Sequence, residues 1–268
     1  MSSKSIKDIL KEEFGWEIPV ETVPLPSLGK LYDPDSTLYM RETVDIKAMT
    51  AEEEDILTST ALIKKGETIS KLIESCVVDK SFNPESLLIG DRNALMVAIR
   101  ITGYGTQYPV TYTCGNCGTQ NKVDVDLSTL PIKTLEINPV KSGANEFKYT
   151  LPVTKKDVTF KFMTGLDEKE RKVTQERMKK LLGGDTDLEN NVTSSLEACV
   201  ISIDGVTDKL KIKHFIKYMP AYDSKSLRKF IRDNEPNIEM VQNCTCSNCG
   251  TAADINVPVT TEFFWPNT

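Results

Sequence analysis

The period of the hydrophobic positions changes several times along the chain, and each change marks an element. TVDIKAM at 43–49 alternates apolar and polar side chains and predicts a strand. Thr50-Ala51-Glu52-Glu53 then reads as a capping box, with three successive acids, Glu52 to Glu54, at the positive end of the helix dipole. This predicts a helix running to about Lys65 and stopped by Gly66. Thr68 opens a second helix, with Ile69, Leu72, Ile73, Cys76 and Val77 on one face. Asp91 is expected to cap a third, with Ala94, Leu95, Ala98, Ile99 and Thr102 inward, ending at Gly103. Alternation returns in YPVTYT and NKVDVDL, on either side of a cysteine turn. TLEI, EFKYTL and DVTFKFM, within 132–162, predict further strands. From Gly165 to Ser202 the pattern is helical, broken by GGDTD. Lys211–Met219 and Ser224–Asn234 predict two more helices, the second with a buried stripe of Leu227, Phe230 and Ile231 and closed by Pro236. IEMVQN and ADINVPV then flank a second cysteine turn as the first was flanked.

The first 45 residues follow neither period. A short amphipathic stretch (Ile6, Ile9, Leu10, Phe14) leads into PVETVPLPSLGKLYDPDS, where Pro24, Pro26 and Pro34 exclude a continuous helix and favour an extended arm. Val23, Leu25, Leu28, Leu31 and Tyr32 are more apolar surface than a solvated linker needs, so an arm lying on a partner is expected. The aromatic tail Phe263, Phe264, Trp265 and Pro266 has two readings, docking on a neighbour or burial against its own domain.

The two cysteine turns carry the chemistry. TCGNCGT at 113–119 and TCSNCGT at 245–251 differ only at Gly115 against Ser247. Each supplies two thiols to one side of a tight turn, and the Gly after the second Cys, Gly118 or Gly250, accepts positive φ. Asn116 and Asn248 tolerate that region too. Each turn is half of a tetrahedral four-thiolate site, so Cys114, Cys117, Cys246 and Cys249 are expected around one structural Zn²⁺. Cys244, two residues before Cys246 on an extended strand, is the alternative ligand in the second half. Neither turn precedes a helix, which disfavours a thioredoxin-type redox role. A catalytic zinc usually takes His and keeps a position open. The single histidine, His214, sits in the basic stretch KIKHFIK and reads as a surface residue. Cys76 and Cys199 read as core.

Composition changes this picture little. The 268 residues are 39% hydrophobic and 27% charged, as in a folded globular protein large enough to bury a core. A net charge of −6 argues against a chain whose main task is neutralising phosphate. No stretch approaches the ~18–20 apolar residues of a membrane helix, and the start lacks a signal-peptide core, so a cytosolic protein with reduced thiols is expected. GGD at 183–185 lacks the Lys-Ser/Thr of a phosphate loop, and no catalytic set can be assembled around one histidine.

LPSLGKLY at 25–32, MTAEEEDIL at 49–57 with TSTALIKKG after it, LLIGDRNALMVAIRITGYG at 87–105, the cysteine turn after YPVTYT and the terminal FFWP resemble the baseplate protein family of T-even-type contractile-tailed phages, whose members are associated with the baseplate hub. The resemblance is dense over 24–120, returns in the second cysteine half and is weak from about 125 to 235. It implies a non-enzymatic morphogenesis protein, a hub component or hub assembly factor, whose partners are other baseplate and hub proteins. It implies residence in the host cytoplasm during assembly, and in the virion tail baseplate as well where the chain is a hub component; neither a membrane nor a nucleic-acid partner is expected. It carries over no catalytic residue. Leu25, Leu28, Leu31, Tyr32, Phe263, Phe264 and Trp265 are the candidate partner-binding residues. The competing reading is a nucleic-acid-binding zinc ribbon, which needs a basic stripe; the ribbon flanks offer only Lys122, and nothing basic lies between Glu239 and Thr268.

The expected fold is α+β. It comprises an extended arm (1–42), a helical segment (43–106), a first zinc-ribbon hairpin (107–127), an inserted α+β domain (128–238), and a second ribbon hairpin with the aromatic tail (239–268).

Overall fold

The structure, a computed structural model, describes residues 12–181, 191–257 and 261–264. Ile6, Ile9, Leu10, the GGDTD break, Trp265 and Pro266 lie outside the described residues.

Residues 20–42 of the segment expected to be an extended arm are built into the fold. Strand β1 (Val20–Pro24) pairs antiparallel with β2 (Thr43–Lys47), Val23 opposite Val44. The chain between them folds back on itself at Gly29. A Cβ there would lie 2.2 Å from the Arg41 backbone nitrogen, so only glycine permits the return. The helix expected from Thr50 to Lys65 is two helices, α1 (Ala51–Thr58) and α2 (Thr60–Lys65), broken at Ser59. The Thr58 hydroxyl donates to the carbonyls of Glu54 and Asp55, closing the first helix locally, and Ser59 takes extended ψ. Gly66 ends the second in the left-handed region, as expected. Helices α3 (Thr68–Cys76) and α4 (Ile89–Tyr104) follow. Asp91 lies inside the first turn of α4, not at its cap, and that helix runs through Gly103 to Gly105.

The capping box at Thr50 holds more than a helix end. Glu53 accepts from the Thr50 N–H (2.9 Å) and hydroxyl (2.6 Å), from the Ser75 hydroxyl (2.5 Å) and from the Lys47 ammonium (2.7 Å), and its side chain is fully buried. Burial pushes its carboxyl up, but the bonds from Lys47, Ser75 and Thr50 outweigh it and bring the group down to about 2 from an ordinary 4.5. A carboxyl depressed in this way stabilises the fold fully above about pH 4.5 and loses its contribution as pH falls toward 2. Each tenfold gain in acidity on folding is worth about 1.4 kcal/mol, so Glu53→Gln should cost about 3 kcal/mol at pH 7 and flatten the acid limb of stability between those two values. Denaturant melts across that window check both.

Two hairpins form as the alternation predicts: β3 (Gln107–Thr113) with β4 (Gln120–Asp126), and β10 (Val241–Thr245) with β11 (Ala252–Asn256). Between them, β6 (Phe147–Thr150), β7 (Asp157–Phe160) and β8 (Val200–Ile203) make an antiparallel sheet in that order. A minimal pair, β5 (Ile132–Lys133) and β9 (Asn237–Ile238), ties the entry of this region to its exit. Helices α5 (Gly165–Leu181), α6 (Asn191–Cys199), α7 (Lys209–Tyr218) and α8 (Ala221–Asn234) complete it. VISI, expected to continue a helix, is strand β8: its β-branched residues pair with β7. TLEI is irregular, with the Leu135 N–H donating to the Pro26 carbonyl across to the N-terminal segment. The sheet buries Phe147 and Phe160, and Phe162 and Phe230 lie against them in tilted and edge contacts.

The insertion packs against the helices that precede it. Gly90 of α4 lies so close to β9 that a Cβ would sit 1.8 Å from the Pro236 carbonyl oxygen. The Ile89 N–H donates to the Met163 carbonyl, and the Gly165 N–H to the Leu87 carbonyl. One buried apolar cluster runs from Val23 through α3 and α4 to the sheet and on to Phe264. Mixed helices and small antiparallel sheets make this an α+β fold.

Candidate metal centre

The two cysteine turns lie at the tips of β3–β4 and β10–β11 and face each other. Their backbones are the same device used twice. In the first, the Cys114 N–H donates to the Thr119 carbonyl and the Gly118 N–H to the Cys114 carbonyl, both 2.9 Å. In the second, Cys246 N–H to Thr251 carbonyl is 2.9 Å and Gly250 N–H to Cys246 carbonyl is 3.0 Å. Gly118 (φ 72°) and Gly250 (φ 69°) take the left-handed conformation that closes each turn.

The four sulfurs converge. Cys114 Sγ lies 3.7 Å from Cys249 Sγ, and Cys117 Sγ lies 3.7 Å from Cys246 Sγ. All four lie within 4.8 Å of one another. A disulfide needs about 2.05 Å, and the thiols are free. A tetrahedron of thiolates at about 2.3 Å from a zinc ion has edges of about 3.8 Å, which is the spacing of the paired sulfurs. The donor set therefore fits one tetrahedral thiophilic ion. With four thiolates, no position stays open for water.

Polar neighbours hold the thiols from both sides. The Thr119 hydroxyl is 3.3 Å from Cys117 Sγ, and the Thr251 hydroxyl 3.3 Å from Cys249 Sγ. The Thr251 hydroxyl and N–H, with Asn116, lower the Cys249 thiol to about 5, and Thr119 lowers Cys117 in the same way. The asparagines cross between the halves: Asn116 donates to the Thr251 hydroxyl and Asn248 to the Thr119 hydroxyl, each at 3.1 Å. Cys244 is buried but stands outside the cluster, so the alternative ligand is not among the four that converge.

The one difference between the heptads has a structural partner. Asn121 is buried on β4; its Oδ1 accepts from the Ser247 N–H (2.9 Å) and hydroxyl (2.8 Å), and its Nδ2 donates to the Thr119 carbonyl (3.0 Å) and approaches Cys246 Sγ (3.5 Å). At the matching sequence place in the second half stands Ala253, which offers no hydrogen-bond group, and the residue matching Ser247 is Gly115. The Gly115/Ser247 difference is plain in the sequence; the partner that explains it is not. Asn121→Ala should weaken metal binding by about 10-fold, at the low end of the ~10–100-fold typical of outer-shell partners, as read by chelator competition.

The expected partner-binding residues have a different place. Leu25, Leu31 and Tyr32 are buried, Leu28 is half-buried, and Phe263 and Phe264 are fully buried within the chain's own core. Within the chain these side chains are covered, the burial reading in the case of Phe263 and Phe264, and both the 25–32 run and the 261–264 segment lie beside α4. Two charged residues of that helix anchor them. Asp91 accepts from the Ser27 N–H (2.9 Å), the Ser27 hydroxyl (2.5 Å) and the Tyr32 hydroxyl (2.5 Å), and the Tyr32 oxygen accepts from the Leu88 N–H (3.1 Å). Burial raises the Asp91 carboxyl against these bonds and drives the Tyr32 phenol well above its usual range. Arg100, also fully buried, donates to the Phe263 carbonyl. Neither anchor is legible in sequence, because each partner is far along the chain. Cys76 and Cys199 are buried as expected, and burial pushes both thiols up to about 12. His214 is exposed on α7. No described helix is long and apolar enough to cross a membrane.

A family model described as T4 bacteriophage base plate protein matches residues 19–265. No curated protein and no solved structure gives a match.

Proposed function

The chain belongs to the T4 bacteriophage base plate protein family, and on that premise we propose that it is a non-enzymatic protein of the tail baseplate that acts at the hub, as a hub component or in hub assembly, with Cys114, Cys117, Cys246 and Cys249 holding one structural Zn²⁺. The family match, which covers both ends of the fold, carries the baseplate role. The resemblance of the 25–32 and 87–105 runs to hub-associated members supports the finer assignment. The metal supports it mechanically. It would join two hairpins whose cysteines stand 135 positions apart, and a saturated four-thiolate site has a structural role, with no substrate position.

The decisive experiment removes the gene from the phage and compares baseplate intermediates by gradient sedimentation and mass spectrometry. Hub-deficient intermediates and no completed tails are expected. Normal hubs in the absence of the chain would refute the reading. Mass spectrometry of intact particles beside the intermediates separates a resident component from a factor that leaves.

A further inference from the structure

The net charge of −6 conceals two opposed surfaces. Residues 209–232, spanning α7, its elbow and most of α8, hold eight of the chain's 33 basic residues and one of its 39 acids. That acid, Asp223, is buried and accepts from the Val153 and Thr154 N–H groups and the Thr154 hydroxyl. The exposed charges within 209–232 are therefore all basic, with the acids Asp208 and Asp233 at the two ends. Ile212, Ile216, Met219 and Leu227 point inward. Lys213 reaches Glu197, and Lys229 and Arg232 reach Asp233. Among the described residues, Lys209, Lys211, Lys217, Lys225 and Arg228 have no ion-pair partner. Between these cations stand Leu210, Tyr218 and Tyr222, exposed by 72%, 75% and 63%. Large apolar and aromatic side chains held in solvent among unpaired cations are the composition of an interface anchor, not of a solvated helix.

The complementary composition lies at the other end of the chain. Residues 12–21, EEFGWEIPVE, carry four glutamates, and no basic residue follows until Lys30. Phe14 and Trp16 are exposed by 71% and 47%. We propose that residues 12–21 of one copy dock on the α7–α8 face of a second copy, the glutamates against the lysines and Phe14 and Trp16 among Leu210, Tyr218 and Tyr222. Opposite charge sets the orientation and the encounter rate, and the aromatic contacts hold the complex. Donor and acceptor are different surfaces, so the contact is heterologous and leaves one face of each kind free, extending association into a ring or a row. The inference goes beyond the baseplate role and is read on the purified chain alone, so its failure leaves that role untouched.

The test is sedimentation velocity of the full chain at about 50 mM and about 500 mM salt, where screening differs about threefold in range. At low salt the sedimentation coefficient should grow with protein concentration; at high salt growth should be lost. Lys211→Glu with Lys217→Glu should give a monomer, and so should Phe14→Ser with Trp16→Ser; all four positions are exposed, and circular dichroism should match the parent. Each variant keeps one intact face, so mixing the two should restore association that stops at dimers. A parent chain monomeric at both salts, association that survives either pair of substitutions, or a mixture that stays monomeric would overturn the proposal. So would a monomeric parent that shifts a short DNA duplex through Lys211 and Lys217, which would make the occupant a polyphosphate backbone.

Discussion

Cys114→Ser should take the chain from about one bound zinc to none and release the second hairpin from the first. A serine hydroxyl is not ionised at neutral pH and leaves a three-thiolate site, so the loss of affinity should exceed the ~10–100-fold cost of an outer-shell change. The structural consequence follows from what else joins the halves. Asn116 to Thr251, Asn248 to Thr119 and Asn121 to Ser247 are hydrogen bonds, most of them near the surface, each worth about 1 kcal/mol net. An isolated two-stranded hairpin is marginal in water. An ion held by the four thiolates, at an apparent ~10–16 kcal/mol near neutral pH, would be the dominant link. Hydrogen exchange should therefore show protection lost over 241–256, while α3 and α4 stay protected by the apolar core. A strong chelator applied to the parent chain should reproduce the pattern. Cys244→Ser is the control: that thiol lies outside the cluster, so metal content should not change. Elemental analysis beside the exchange data decides the matter, and zero or two ions in the parent chain would refute a shared site.

The four-cysteine cluster is legible in the sequence because its information is local. Each seven-residue turn contains its own carbonyls, its positive-φ glycine and its two thiols, and the near identity of the two copies announces that they do the same thing. The capping box at Thr50 and the stop at Gly66 are legible for the same reason. What the sequence hides depends on partners far along the chain. VISI is apolar enough for either element, and only the presence of β7 beside it makes it a strand. The 25–32 run reads as docking surface because its apolar content exceeds a linker's needs. Within the chain this run is tied to α4 by hydrogen bonds, 64 positions from Ser27 to Asp91. Asp91 itself reads as a cap, since an acid at the start of an apolar helix usually serves that end; here the carboxylate turns away to the Ser27 and Tyr32 donors. Asn121 has no local signature at all, although the lone Gly115/Ser247 difference is its trace.

Arg100→Met should cost about 3–5 kcal/mol and free the C-terminal segment, although methionine roughly restores the apolar volume. Arg100 is fully buried, and its guanidinium donates in three directions: Nε to the Phe263 carbonyl (2.9 Å), one terminal nitrogen to Gly105 (3.0 Å) and the other to Gln107 (3.3 Å). The side chain also stacks between the Tyr104 and Tyr108 rings, 5.2 and 5.9 Å from their centroids. One planar fork thus joins the end of α4, the start of β3 and the 261–264 segment, where Phe263 lies 5.1 Å from Tyr108. Removing it strands three carbonyls at or near the core, each costing about 1–3 kcal/mol if left unpaired. Arg100→Lys should recover only part, because one ammonium on a flexible stem cannot reach three diverging carbonyls at once. The prediction has a spatial signature that general destabilisation lacks. Exchange protection and protease resistance should fall first at 261–264 and at the 105–107 turn, with zinc content unchanged. Equal loss along the whole chain, or a Lys variant as stable as the parent, would show that Arg100 only fills space.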